Sequence, residues 1–133
     1  MLEGDTVTVS GTLDASGATG GGDIRALADH LTVTGDASLT AAATVAGDGG
    51  FIETSGYQTV SIADGAAVNA AGAGGAAGTW LIDPLNLTIT AGANNGVVSG
   101  STVTAGTIET ALGGGTNVSL TTNQAGAEDG DLT

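Results

Sequence analysis

The chain has no cysteine and no lysine, and only one each of proline, phenylalanine, tyrosine, tryptophan, methionine and histidine in 133 residues. Without cysteine there are no disulfides, an absence that by itself assigns no compartment. Arg25 is the sole base against 14 acids, for a formal charge of −13. A phosphate backbone or an anionic membrane surface finds no basic stripe here, and a nucleobase finds almost no ring to stack on, so nucleic acid is excluded as a partner. The excess of acid reads instead as solubility and repulsion between molecules. No apolar run approaches the ~20 residues that a membrane-spanning helix requires, so the chain is not expected to insert in a bilayer. The missing Gly-x-y period excludes collagen. Met1-Leu2-Glu3 does not read as the head of a signal peptide, and the start has the look of an excised piece.

What is present is small and aliphatic. The chain holds 25 glycines and is 41% hydrophobic, mostly Ala, Val, Leu and Ile, which suits a narrow interior with no room for large rings and with glycine at the corners. The apolar residues recur. Val7-Thr8-Val9, Leu31-Thr32-Val33, Val60-Ser61-Ile62, Leu87-Thr88-Ile89 and Val118-Ser119-Leu120 follow at steps of 24, 29, 27 and 31. Leu13-Asp14-Ala15, Leu39-Thr40-Ala41 and Val68-Asn69-Ala70 follow at 26 and 29. A third series, Ile24, Ile52 and Leu81, runs at 28 and 29. A period of this size marks a stacked repeat, and within each unit the alternation is that of a strand with one face buried.

Strands that return in one order, joined by tight turns, predict an all-β parallel β-helix: three short strands per turn, four to five turns, one segment spanning residues 1–133. Rungs about 4.8 Å apart would make a rod roughly 20–25 Å long. An antiparallel sandwich fits the short strands but not columns in constant order. Asp83-Pro84 predicts a bend and Asn94-Asn95-Gly96 a turn. Thr104–Leu112 reads as a short helix with Thr104 as its start, Gly113 as its stop and Ala105, Ile108 and Leu112 on one face; the alternative is a strand in which Gly106–Thr110 copies Gly50–Thr54. Gly130-Asp131-Leu132 looks like the opening of another turn.

Gly49–Gly56 (GGFIETSG), Gly65–Ala70 (GAAVNA), Gly78–Pro84 (GTWLIDP) and Leu87–Ile89 (LTI) resemble the filamentous-haemagglutinin-type adhesins, large bacterial exoproteins exported by two-partner secretion. The resemblance covers roughly residues 22–132, and Trp80-Leu81-Ile82-Asp83-Pro84 is its most specific block. It implies a right-handed β-helical shaft, truncated at both ends, of a protein secreted through an outer-membrane transporter to the cell surface or beyond. There the full-length protein would engage a host or bacterial surface receptor, and the truncated piece could associate end to end. The family's amino-terminal secretion domain has no recognisable counterpart in this stretch.

Residues that could carry chemistry are few, and no catalytic residue or cofactor is assigned. His30, beside Asp29 and near Arg25, lacks a converging nucleophile and reads as a solvated turn residue. Asp36 and Asp64, 28 residues apart, are expected at one corner on adjacent turns; they read as turn formers, with shared calcium as the alternative. Gly47-Asp48-Gly49-Gly50 does not continue as a calcium-binding repeat. Gly72–Gly78 precedes a strand rather than a helix, which makes it a corner and not a phosphate loop. Thr8, Thr32, Ser61, Thr88 and Ser119 form an outward hydroxyl column, and an ice-binding face is an alternative to ordinary surface polarity. Tyr57 and Trp80 could stack on a glycan; Trp80, following a corner at the position of Phe51, is expected outside and packed at the Asp83-Pro84 bend. Asn86-Leu87-Thr88 and Asn117-Val118-Ser119 match glycosylation acceptors and read as incidental. The leading expectation is a structural and interaction segment that is not an enzyme. A carbohydrate-active β-helix enzyme and an ice- or glycan-binding solenoid are the alternatives.

Overall fold

A computed structural model describes residues 1–91, 100–123 and 130–133; the Asn94-Asn95-Gly96 turn lies outside the described residues. The elements are β1 (Leu2–Val9), β2 (Thr12–Asp14), β3 (Asp23–Val33), β4 (Ser38–Thr40), β5 (Phe51–Ile62), β6 (Ala67–Asn69), β7 (Thr79–Pro84), β8 (Thr88–Thr90), β9 (Thr102–Thr104), α1 (Ala105–Gly113) and β10 (Asn117–Leu120). The chain is mostly β, in two parallel sheets. One has the path β1-β3-β5-β7-β10 with β8 and β9 attached; the other is β2-β4-β6.

Successive strands of each sheet are a repeat apart in sequence, as the columns require. Val7, Leu31 and Val60 stack in register, and so do Leu13, Leu39 and Val68. Two of the predicted segments are, however, a single strand: β3 and β5 run 11 and 12 residues and carry both Ile24 with Leu31 and Ile52 with Val60. The three short strands per turn are therefore one long and one short. Between the sheets the chain is held by backbone bonds at a repeated place. The N–H groups of Gly22, Gly50 and Gly78 donate to the carbonyls of Ala15, Ala41 and Ala70. At this corner the rungs touch backbone to backbone: a Cβ on Gly50 would lie 2.1 Å from the Gly22 oxygen.

The interior is lined by Ile24, Leu31, Val33, Leu39, Ile52, Val60, Ile62 and Ile82, each buried. It also holds Trp80, against expectation. Trp80 pairs with Ile52 and not with Phe51, one residue earlier in register than the third series assumed. A slip of one residue exchanges the two faces of a strand, so the ring goes inward and Leu81 outward. It is 0% exposed, stacked between Ile52 and Val118, and the next column carries the small residues Ala26 and Thr54 before Ile82. The indole Nε1 donates to Thr54 Oγ1 at 3.0 Å.

The last third departs from the simple repeat. Pro84 ends β7 opposite Gly56, and the second half of β5 takes β9 as its neighbour, with β8 outside β9. Leu87-Thr88-Ile89 is thus not stacked directly on Val60-Ser61-Ile62. Val118-Ser119-Leu120 lies on Trp80-Leu81-Ile82, in the other series. Where a fourth rung of the short sheet would follow β6, α1 packs instead, and Ala70 N–H donates to Thr116 Oγ1 at 2.8 Å. The predicted helix has Thr104 as its N-cap, whose hydroxyl accepts from Thr107 N–H at 3.2 Å. Its buried residues are Thr107 and Ala111, while Leu112 is exposed. Of the expected Ala105–Ile108–Leu112 face, Ala105 and Ile108 are half-buried and Ile108 packs against the core, whereas Leu112 turns outward; the Thr104 and Thr107 hydroxyls satisfy each other at 2.9 Å. Leu132 forms an isolated parallel bridge with Leu87.

Candidate functional site

On the outer face of the long sheet, Glu3, Leu27 and Ser55 stand in one column across β1, β3 and β5. Next to them the β3–β5 register shifts: Ala28 faces Gly56 but His30 faces Thr59, so Asp29 stands against both Tyr57 and Gln58. This bulge inserts one residue into β5 and re-aims its side chains. Tyr57 ends up 57% exposed. It walls a hollow of about 190 Å³ shared with Glu3, Gly4, Asp5, Leu27, Ala28 and Asp29, and an adjoining one of about 90 Å³ shared with Leu27, Glu53 and Ser55. Leu27 and Tyr57 are common to both, giving one apolar strip with carboxylates on either side.

The sole arginine is already engaged beside this groove. Arg25 Nη1 donates to Glu53 Oε2 at 3.3 Å and Nη2 to Asp23 Oδ2 at 3.4 Å, and the guanidinium lies 5.1 Å from the Phe51 ring centroid. Ser55 Oγ donates to Glu53 Oε1 at 3.0 Å. His30 is on strand β3 rather than at a turn, with Nδ1 3.0 Å from Thr59 Oγ1; Asp29 precedes it in the same strand.

The remaining candidates are not brought together. The turn Thr34–Ala37 lies over Ala63–Ala66 with a local step of 29, so Gly35 abuts the Asp64 backbone and Asp36 is offset from Asp64 by one residue. Each carboxylate has its own hydroxyl: Thr34 Oγ1 donates to Asp36 Oδ1, and Thr104 Oγ1 donates to Asp64 Oδ1 at 3.3 Å. Among the described residues no cluster of three or more His, Asp or Glu side chains could hold a metal ion. Trp80, buried in the core, cannot stack on a ligand. The hydroxyl column is interrupted. Thr8, Thr32, Ser61, Thr102 and Thr88 follow in that order, and Ser61 and Thr102 are only 8% and 4% exposed. Thr32 is half-buried and Thr88 exposed on either side of that covered pair, and Ser119 belongs to another column. A larger hollow, about 600 Å³, follows the Gly22–Gly50–Gly78 corner and is lined mainly by glycine and alanine residues; its Asp48 carboxylate already accepts from Ala76 N–H at 2.7 Å.

Sequence reasoning found Tyr57 but missed Glu3, Asp5, Leu27 and Asp29. Their signal was in the spacings: Ile24 to Ile52 is 28 residues and Leu31 to Val60 is 29, and the extra residue is the bulge. Comparison with known protein families, curated proteins and solved structures gives no match.

Proposed function

We propose that the chain is a structural and interaction segment of a large secreted bacterial surface protein of the filamentous-haemagglutinin type. In this reading the two parallel sheets are the walls of a right-handed parallel β-helix, and its job is to extend and stiffen a shaft that carries a binding region away from the cell. The observation that carries the reading is the in-order stacking of β1, β3, β5 and β7 with their aliphatic columns in register. Such a ladder resists extension because many backbone hydrogen bonds share the load. The right hand follows the strong preference of parallel crossover connections. The excess of acid supports a role at an exposed surface, where it prevents lateral association. Export would use an outer-membrane transporter, and the receptor would be met by the full-length protein.

An antibody raised against this segment, applied to intact producing cells and to their culture medium, tests the location: surface or medium labelling is the expected result, and antigen found only after lysis overturns it. Solution scattering tests the shape, since a β-helix requires a rod-like cross-section that a globular sandwich would not give. The carbohydrate-active alternative predicts polysaccharide cleavage that Asp36→Asn or Asp64→Asn abolishes.

A further inference from the structure

Tyr57 presents the most exposed aromatic ring of the described residues, since Trp80 is buried and Phe51 is partly covered. A large ring left in water on a strand bulge, above an apolar floor formed by Leu27, is an unfilled contact surface. The chemistry around it limits what can fill it. Glu3, Asp5 and Asp29 supply only acceptors to the hollow, and the side-chain donor lining it is the Tyr57 hydroxyl itself. The sole arginine, Arg25, is committed to Asp23 and Glu53, and His30, next to Asp29, is paired with Thr59. An anionic ligand would be repelled, and the carboxylates do not converge into a metal-holding cluster among the described residues. A ligand that carries its positive charge on carbon substituents can meet both demands at once: its methyl or methylene groups pack on the ring and Leu27, and its charge is balanced by the ring face and the neighbouring carboxylates.

We propose that the Tyr57 groove binds an organic ammonium ion. The site is distinct from any mechanical role of the ladder and does not depend on the shaft reading.

Tyr57 is the only tyrosine and Trp80 the only tryptophan, so one nuclear magnetic resonance titration reads both the site and the fold. Choline chloride is added to the full chain, with its uncharged isostere 3,3-dimethylbutan-1-ol and sodium chloride at matched ionic strength as comparisons. The expected result is a saturable shift of the Tyr57 ring signals with choline alone, while the buried Trp80 indole signal stays put. Read through the backbone amide signals of Leu27 and Asp29 in place of the replaced ring, Tyr57→Ala should weaken binding roughly tenfold, the size of a partly desolvated cation–π contact, and Tyr57→Phe should retain it. Asp29→Asn should weaken it severalfold, with Trp80 unchanged as proof of folding. No saturable shift, an equal response to the uncharged isostere, or unchanged binding by Tyr57→Ala would each overturn the proposal.

Discussion

Trp80 Nε1 donates to Thr54 Oγ1 from the centre of the core, 3.0 Å apart on strands one repeat removed from each other. The largest side chain of the protein thus sits between Ile52 and Val118 in its own column with Thr54 close by, and its one polar atom depends on one hydroxyl. Thr54→Val keeps the shape and leaves the indole N–H unpaired in a dry interior. A loss of about 1–3 kcal/mol is expected, read by denaturant unfolding followed through Trp80 fluorescence; Thr54→Ser should retain most of the stability. Equal stability of the Val variant would show that the bond contributes nothing.

The glycine corner makes a sharper contrast. Gly50→Ala would drive a methyl group to 2.1 Å from the Gly22 oxygen, a distance that requires the rungs to part, and the variant should lose cooperative unfolding. Gly113→Ala, at the end of α1 with open space around it, should be neutral or stabilising by up to about 1 kcal/mol. Circular dichroism melts of the pair check the difference.

Trypsin has one target, Arg25, the third residue of β3, paired with Glu53 of β5 and immediately before Ala26, where the pairing with Leu2 of β1 begins. Cleavage requires an extended chain free of its neighbours, so the native protein should survive a digestion that cuts the denatured chain into two fragments. Rapid cutting under native conditions would show that β3 detaches readily.

Asp14 carries the pH dependence that can be read here. The hydrogen bonds from the Ser16 side chain and backbone N–H hold its carboxyl below the ordinary aspartate value. The folded state therefore binds a proton less readily than the unfolded state. The contribution is present above the unfolded value and disappears as pH falls through the folded one. Since Asp14 is fully exposed, the effect should be small. Asp14→Asn should melt slightly below the parent at neutral pH, and the gap should close in acid; a gap that widens in acid would contradict this sign.

Much of the ladder was legible because a parallel stack copies itself: Leu13, Leu39 and Val68 are found in one column just as their spacing demands. The misplacement of Trp80 came from aligning Leu81 with Ile52, since both are aliphatic and Trp looks like a surface residue in so narrow an interior. Burial of the indole is made possible by Thr54, a partner 26 residues away that no local pattern announces. β9 was missed for a related reason. Thr102-Val103-Thr104 and Thr88-Ile89-Thr90 have the same alternation, and nothing local states which of them lies against Ser61. The groove at Tyr57 was half visible: the ring drew notice, but its position depends on a one-residue difference in spacing within a single strand pair.

The place of β9 between β5 and β8 bears on how the molecule can be assembled. A chain emerging from the ribosome can lay β3 on β1, β5 on β3 and β7 on β5 as each is made, but β8 then has no seat. It must wait until Thr102–Thr104 has been synthesised and has slipped in against Ser61. The first half can therefore crystallise outward rung by rung, whereas the last third must close as a unit.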